Sequence, residues 1–519
     1  MLVSESSGPC WWDELPQECK LQVLEHLTAR DTARAAGICR EFAAHAHESR
    51  LATRTLKLPA GVSAAAVRGM VKAYSRAGKV RVHPSLTQMQ ALGSAIALGA
   101  EARVQGAPLE GLDLSNCRSL SENALLSFFT TIDTIRDLDA SNCIEVSDAC
   151  LRALAADLWQ EEFDAEEDEL AWEALQVQDL PQPRLVGKTR MHVEDAFAAA
   201  RQAHSPLATT VSVGQRDLSG SQQQGRLRSL SVAGCTEITS AGVLNLLKAC
   251  SHSLTSLNVS RTAVSTLQQS RWGVLQSLTA NQCSNLTTVT FQLPASAPLR
   301  DLHLSGCTNL VKVVLTCAQL RSLNVSGNGS LTHLALNCAA LESLSASQCP
   351  RLVGLVEESS FPALLNANFA FCKSLTDLDE TLEACTGLLT LNVNGCIGLY
   401  RLALATQTEM LRLEAAGCKQ MRRIICGSAA LEVCMAQSCQ LLQVLHLQGK
   451  SLRHLDVGGC SNLHELQMSR LERPVADLMA AARSGKDALF LNIDGCPRLS
   501  EDVVSRLKAA FKNPRPRIS

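Results

Sequence analysis

The residues most able to do chemistry in this sequence are its cysteines, which number 22 in 519 residues. So many thiols can indicate a metal site, a disulfide framework or a reactive nucleophile. A metal site needs several ligands close in space, typically from CxxC pairs, and the sequence contains no CxxC pair. The thiols recur instead in one frame, LxxLxLxxC, whose steps from Cys283 to Cys460 are between 21 and 24 residues.

The frame repeats along most of the chain. Its cysteine positions are Cys117, Cys143, Cys235, Cys283, Cys307, Cys349, Cys372, Cys396, Cys418, Cys439, Cys460 and Cys496, with Thr262 and Asn328 in the place of cysteine. The two leucines of LxL point to the same side of a strand and are expected in a core, with outward-facing residues around them. The cysteine follows where the chain turns away. A small buried thiol with a weak S–H donor suits that position, as does an asparagine that bonds neighbouring backbone. Structural thiols are therefore favoured over metal ligands or a catalytic nucleophile.

Other signs of catalysis are missing from the sequence. It has no P-loop, no GxSxG and no HExxH motif. We therefore expect no catalytic residue, no metal ligand and no cofactor, and predict that the protein is not an enzyme. The formal net charge of −2 gives no electrostatic case for nucleic acid or an anionic membrane as the main partner. Without a secretory signal or a membrane-spanning apolar run, we expect reduced thiols in the cytoplasm, the nucleus or both.

The segments that follow each frame are of two kinds. Between Cys283 and Met468 each unit carries a second LxxLxL, as in LVKVVL at 310–315, which predicts strands on both limbs of a coil. Elsewhere the second limb begins with serine and continues with helix-spaced apolar residues. These predicted helices are 121–132, 147–159, 240–250 and 500–511. The segments TLKL, at 55–58, and KVRV, at 79–82, are predicted to be strands of two earlier repeats.

This pattern resembles the cysteine-containing subclass of the leucine-rich repeat. The resemblance implies an α/β solenoid, a leucine-rich-repeat horseshoe that is helix-backed at the ends and strand-backed in the middle. In such repeats the outward strand residues line a concave surface that binds protein partners.

The N-terminal stretch DELPQECKLQVLEHLTARDTARAAGICREF, residues 13–42, differs from the repeats. Its order of LP-x-E, spaced aliphatics, L-x-x-x-D and I-C-R-x-F resembles the helical F-box, which docks substrate receptors on the Skp1 adaptor of cullin–RING ubiquitin ligases. The resemblance implies the following Skp1-binding residues: Leu15, Pro16, Glu18, Leu24, Leu27, Asp31, Ile38, Cys39, Phe42 and Leu51. The alternative is a helical cap that covers the open end of the solenoid.

Together the two resemblances indicate a non-catalytic substrate receptor of an SCF (Skp1–cullin–F-box) ubiquitin ligase, most like the plant and green-algal F-box/LRR-repeat protein 15 group. The alternative function is a repeat scaffold with no ubiquitin role. The expected partners are a Skp1-type adaptor, through it a cullin–RING ligase, and a protein substrate. The predicted domains are a disordered N-terminus at 1–11, the F-box at 12–53, first repeats at 54–159, a disordered acidic and polar insertion at 160–225, further repeats with a C-terminal cap at 226–512, and a tail at 513–519.

The outward strand positions divide into two stretches. Through the middle they are small, polar and uncharged, which is typical of residues that keep strands soluble and evenly spaced. Toward the C-terminus they carry charge and apolar bulk, and there we predict the substrate surface. Its residues are Arg412, Glu414, Val433, Met435, His454, Asp456, Phe490 and Asp494. The sequence has no cluster of basic residues that would form a pocket for an anionic small molecule.

Overall fold

The computed structural model describes residues 55–57, 79–81, 111–118, 120–131, 135–155, 227–269, 273–356, 359–448, 451–469 and 490–510. The predicted F-box at 12–53 lies outside these ranges with all ten Skp1-binding residues. The predicted insertion at 160–225 and both predicted termini, 1–11 and 513–519, also lie outside them.

A 16-stranded sheet in which each strand pairs in parallel with its neighbours is the main element of the described chain. Almost every strand supplies three residues, and consecutive coils add consecutive strands, which makes the chain a β-solenoid. The strands are β1 (Thr55–Lys57), β2 (Lys79–Arg81), β3 (Gly111–Asp113), β4 (Asp137–Asp139), β5 (Ser229–Ser231), β6 (Ser256–Asn258), β8 (Ser277–Thr279), β10 (Asp301–His303), β12 (Ser322–Asn324), β14 (Ser343–Ser345), β15 (Asn366–Asn368), β16 (Thr390–Asn392), β18 (Arg412–Glu414), β20 (Val433–Met435), β22 (His454–Asp456) and β24 (Phe490–Asn492). The strands β1 and β2 occupy the predicted TLKL and KVRV segments.

The middle residue of each strand explains why these short segments pair in one register. In most strands it is a leucine of the LxL frame, such as Leu112, Leu302 or Leu391, and it is almost completely buried. Because a shift by one residue would turn this leucine to the outside, burial fixes the register. Ala367 is smaller than leucine at this position, and its coil also holds the fully buried rings of Phe361 and Phe369.

Strands on the return limb form two further parallel sheets of four strands each. The first contains β7 (Thr266–Gln269), β9 (Thr288–Gln292), β11 (Lys312–Thr316) and β13 (His333–Asn337). The second contains β17 (Arg401–Leu404), β19 (Arg423–Cys426), β21 (Val444–Gln448) and β23 (Glu465–Ser469). The return strands were predicted to begin after Cys283, but β7 begins one coil earlier. The sequence there, VSTLQQ at 264–269, lacks the last leucine of LxxLxL, and Leu267 is accordingly the one buried residue of β7.

A short helix, α4 (Asp379–Glu383), follows the first return sheet and precedes the second, so the prediction of a continuous strand-backed middle was wrong. Its first turn carries Asp379 and Glu380, which favour the positive end of a helix over a strand. The side chain of Asp377 accepts a hydrogen bond from the backbone N–H of Asp379 at 2.8 Å and so holds the helix start.

Four of the described return limbs hold longer helices, namely α1 (Glu122–Thr131), α2 (Asp148–Leu154), α3 (Ser240–Ala249) and α5 (Glu501–Ala510). The first turns of α1, α2 and α3 are joined by hydrogen bonds between neighbouring coils. The hydroxyl of Ser147, the N-cap of α2, donates to Glu122 in α1, and that of Thr239, the N-cap of α3, donates to Asp148 in α2. The broader picture of a horseshoe with helix-backed ends stays a prediction, because 63–78 and 85–100, which are predicted to be the helices of the two earliest repeats, lie outside the described residues. No helix in the described ranges is long and apolar enough to span a membrane.

The turn after each three-residue strand from β3 onward uses a left-handed backbone conformation. Every described residue with positive φ directly precedes a cysteine position of the repeat frame. Half of these residues are glycines, and the others include Asn116, Asn142 and Phe371. The left-handed turn brings the next side chain, the frame cysteine, back into the core.

The frame cysteines form a ladder through the core. From Cys143 onward, each donates its S–H to the backbone carbonyl three residues before the corresponding position in the preceding coil. The Sγ–O distances, from Cys143 to Leu114 O through Cys496 to Val457 O, lie between 3.0 and 3.2 Å. Several of those carbonyls also accept the N–H of their own coil's ladder residue, for example Cys460 N to Val457 O at 3.2 Å. The thiols therefore satisfy second lone pairs that the fold has buried.

Asn328 and Thr262 show what replaces a thiol in the ladder. Asn328 is completely buried, donates from Nδ2 to Leu304 O at 3.0 Å and to Val325 O at 2.7 Å, and accepts Cys307 N–H at 2.7 Å. Thr262 instead donates to Val259 O of its own coil at 2.7 Å. The predicted role of asparagine as a backbone-bonding substitute is confirmed.

We predict that Asn328→Ala lowers the free energy of unfolding by about 2 kcal/mol, because it leaves buried backbone groups without partners. The variant Asn328→Cys restores the ladder donor and should lose less. Urea unfolding followed by circular dichroism measures both. Equal losses in the two variants would contradict the role of the side-chain hydrogen bonds.

Burial also sets the chemistry of the ladder thiols. It raises the pKa of Cys143, Cys235 and Cys396 to about 12, because the core does not solvate a thiolate. All cysteines in the described ranges are buried and unpaired by disulfides. Since the thiolate is the reactive form, Cys143, Cys235 and Cys396 are protected from reagents while the protein is folded.

We predict that N-ethylmaleimide leaves Cys143, Cys235 and Cys396 unmodified in the native protein at pH 7, and labels them fully in guanidinium chloride. Peptide mapping by mass spectrometry reads each site separately. Native-state labelling at the rate of an unfolded peptide would show that the ladder opens readily in solution.

Candidate functional site

The outward side of the 16-stranded sheet, here called the sheet face, is built from the first and third residues of each strand. The strand register aligns them in two rows. From β4 onward the first row is Asp137, Ser229, Ser256, Ser277, Asp301, Ser322, Ser343, Asn366, Thr390, Arg412, Val433, His454 and Phe490. The second row is Asp139, Ser231, Asn258, Thr279, His303, Asn324, Ser345, Asn368, Asn392, Glu414, Met435, Asp456 and Asn492.

The structure brings most of the predicted substrate residues together on four neighbouring strands, β18, β20, β22 and β24. Asp494 is the exception, because it lies two residues beyond β24, in the turn, where its N–H donates to Asn492 Oδ1 at 3.1 Å. Asn492 occupies the second-row position that the sequence reasoning missed. Counting back four residues from Cys496, as from Cys460 to Asp456, would have found it.

His454 and Phe490 form a stacked pair at the C-terminal end of the sheet face. Their ring centroids are 4.3 Å apart and the rings are inclined by 13°. Burial lowers the pKa of His454, and the positive charge of Arg412 lowers it further, whereas Asp456 raises it. The imidazole is therefore neutral near pH 7 and presents, with Phe490, a partly exposed aromatic surface.

Glu414 is the centre of a polar network on the adjoining strands. Its Oε2 accepts hydrogen bonds from Asn392 Nδ2 and Asn394 Nδ2, both at 2.9 Å. Its Oε1 accepts from Nε of Arg412, whose side chain is half exposed. The network fixes the guanidinium and leaves the pair with no net charge.

The polar residues of the second row have a structural role that the sequence reasoning described only as spacing. In Asn258, Asn324, Asn368 and Asn392 the Oδ1 atom accepts the backbone N–H two residues ahead, at 3.0–3.1 Å. Aspartates at this position do the same, and among them is Asp456, which accepts Gly458 N–H at 3.0 Å. These side chains support the turn that leads to the ladder cysteine, so Asp456 has a structural task besides any contact with substrate.

A depression of about 380 Å³ lies on the sheet face over β14, β15, β16 and β18. The lining residues are Ser343, Leu344, Ser345, Asn366, Ala367, Asn368, Thr390, Leu391, Asn392, Arg412 and Glu414. It therefore contains two of the predicted substrate residues and extends toward the middle of the sheet, where only spacing residues were predicted. No local sequence pattern indicated this depression, because its depth depends on neighbouring coils.

Metal ligation has no support in the described part of the chain. No group of three or more His, Cys, Asp or Glu side chains there is arranged to hold an ion. The ladder thiols are engaged with backbone carbonyls, as described above.

Comparison with known proteins identifies the N-terminal segment. The family model described as F-box-like matches residues 12–56. Residues 12–56 are an F-box-like domain. The predicted F-box at 12–53 falls within this range. No curated protein matches the chain.

Among solved structures, 23 chains match. One is a structure described as the functional domain of InlJ from Listeria monocytogenes, which includes a cysteine ladder. It is 19% identical with a TM-score of 0.22, and the match covers 48% of this chain and 51% of that chain. The chain thus spans about half the length of that structure.

We predict that His454 titrates with a midpoint below the value of about 6.5 of an unperturbed histidine. Two-dimensional NMR of the imidazole, assigned with a His454→Gln variant, measures it. Asp456→Asn should lower the midpoint further, and Phe490→Ala, which exposes the ring, should raise it. A wild-type midpoint at or above the unperturbed value would contradict the burial of this ring.

The sign of the linked stability follows from the same shift. Because the folded-state pKa lies below the unfolded one, the contribution of neutral His454 is complete above the unfolded pKa. It is lost as the pH falls toward the folded pKa.

Proposed function

We propose that this protein is the substrate-recognition subunit of an SCF-type ubiquitin ligase. The observation that carries the proposal is the F-box-like domain at 12–56, because domains of this kind bind Skp1-type adaptors. The repeat body supports it by offering a long, rigid face of variable side chains on a fixed frame. The adaptor would connect the chain to a cullin–RING ligase, and the face would hold a protein destined for proteasomal degradation.

The mechanism in this proposal is positional. The chain contributes no nucleophile, base or metal and is not itself an enzyme. It raises the effective concentration of a substrate lysine near the ubiquitin-charged enzyme on the cullin arm. A stiff solenoid suits this task, because a flexible connection would dilute the advantage. Skp1 contacts are assigned to the residues of the F-box pattern, from Leu15 to Leu51.

The substrate surface is placed on the C-terminal part of the sheet face. Arg412, Met435, His454 and Phe490 there offer the arginine and large apolar groups that dominate protein interfaces. Reduced, buried thiols fit a cytoplasmic or nuclear location. The narrower likeness to the plant and green-algal F-box/LRR-repeat protein 15 group belongs to the same proposal.

We predict that purified Skp1-type adaptor binds the intact protein and that the double variant Leu15→Ala/Pro16→Ala reduces binding at least about tenfold, as loss of interface anchors does. A pull-down followed by titration calorimetry measures this. Arg423→Ala, an exposed change on the return strand β19, is the matched control and should bind normally.

If the intact protein fails to bind the adaptor, the N-terminal segment serves as a cap of the solenoid. The chain would then be a repeat scaffold without a ubiquitin role. Equal binding by the double variant would place the adaptor contacts outside the LP-x-E motif.

A further inference from the structure

We propose that the depression over β14–β18, here called the central groove, binds an extended, uncharged peptide segment of the partner protein with an apolar residue at each end. The inference deepens the proposed function, because it names the kind of substrate segment that the groove binds. It rests on the proposed function only in taking the bound partner to be a substrate of the ubiquitin ligase.

The floor of the central groove is neutral and rich in amides. Asn366 Oδ1 accepts from Thr390 Oγ1 at 2.7 Å, and Asn368 Oδ1 accepts from Ala370 N–H at 3.1 Å. The Nδ2 amides of both residues are then the donors available to the carbonyl oxygens of a bound peptide. Such donors suit an extended main chain, whose carbonyls are unpaired.

The charge of the groove selects against ionised side chains. Arg412 and Glu414 are the only charged residues of its lining, and they neutralise each other. Asn392 and Asn394 also donate hydrogen bonds to Glu414. Separating Arg412 from Glu414 would therefore leave a partly buried charge without its ion-pair partner. A charged substrate side chain would lose water and gain no counter-ion. Complementarity therefore favours an uncharged segment.

One rim of the groove is an apolar row. Leu365, Leu389 and Leu411 directly precede β15, β16 and β18, and their backbones are joined by hydrogen bonds of 2.8 Å, from Leu389 N to Leu365 O and from Leu411 N to Leu389 O. In the other described coils this position is polar or charged, as the backbone-bonded residues Arg228, Thr255, Gln276, Arg300, Arg321, Glu432 and Arg453 show, and in the first coil of the groove it is Glu342. Among the described residues at this position, leucine thus occurs only in three of the four coils that form the groove, and Leu411 is 40% exposed.

The opposite rim carries an exposed aromatic ring in a costly conformation. Phe371 has φ of 63° and is 53% exposed. A non-glycine residue in the left-handed region costs about 1–2 kcal/mol, and Phe371 shares this conformation with Asn116, Asn142 and other residues at the same turn. A Cβ on Gly395 would lie 2.6 Å from Phe371 Cδ1, so the ring extends over the next turn beside Asn394. An exposed ring of this size beside the groove is the kind of apolar surface that binding sites present.

The spacing of the rims gives the length of the segment. Phe371 lies six positions after Leu365 in the coil. A peptide lying along the strands advances roughly 3.3 Å per residue, so its two apolar anchors would be about six positions apart. The residues between them would be uncharged and would face the amides of the floor.

The test uses the full chain and a displayed library of random dodecapeptides. We expect selection to enrich peptides with two apolar residues about six positions apart and uncharged residues between them. Fluorescein-labelled selected peptides then give dissociation constants. Phe371→Asn and Leu411→Ser should each weaken binding about tenfold, as loss of an anchor does.

The choice of variants separates binding from folding. Asparagine adopts positive φ more readily than phenylalanine, so Phe371→Asn should melt no lower than the wild type. Ile144→Ser, which removes an exposed apolar residue remote from the groove, is the matched control and should bind peptide normally. Adaptor binding is measured in parallel on every variant.

Each result decides something. Enrichment of charged peptides, no enrichment, or equal affinity of Phe371→Asn and the wild type would overturn the inference. If peptides bind as expected while the adaptor does not, the groove stands and the ubiquitin ligase role falls. If the adaptor binds but no peptide is selected, the groove falls alone.

Discussion

The hydrogen bond from each ladder thiol to a carbonyl of the preceding coil is the interaction on which the rest of the solenoid depends. The fold buries a turn in every coil, and buried backbone groups must be paired. In most described coils one carbonyl accepts the ladder side chain of the next coil, and in several it also accepts its own ladder N–H, which ties each of these coils to its neighbour. A small donor with an apolar body meets both demands, because it fills the core and still bonds the backbone.

This constraint fixes the stacking and so creates the face. When every coil repeats the same turn, the three-residue strands align at the roughly 4.8 Å spacing of a sheet. The buried middle residue is then restricted to small or medium apolar side chains, whereas the residues on each side of it are free to vary. Asparagine and aspartate support the turn in many coils, and the departures from them, Glu414 and Met435 among others, are where recognition can be encoded.

The left-handed residue before each ladder position shows how the frame and function compete. Glycine and asparagine adopt the left-handed conformation readily, and one of them occupies this position in most described coils. Phe371 is the exception with a large apolar side chain, and it borders the described stretch in which leucine precedes three neighbouring strands. Two independent departures from the repeat pattern thus meet at the same coils, beside a polar network centred on Glu414. A frame that tolerates little variation makes such departures informative.

The sequence by itself determined the repeat, its register and the burial of its thiols, because one buried leucine pair and one turn cysteine recur at a nearly constant interval. It also determined the F-box-like segment, whose motif is local. Tertiary structure decided what depends on neighbouring coils. The helix α4 replaced an expected strand because Asp379 and Glu380 favour a helix start, which the hydrogen bond from Asp379 N–H to the side chain of Asp377 supports. The central groove joins residues from four coils, and no local pattern reports the depth between side chains that are about twenty positions apart in sequence and adjacent in the sheet.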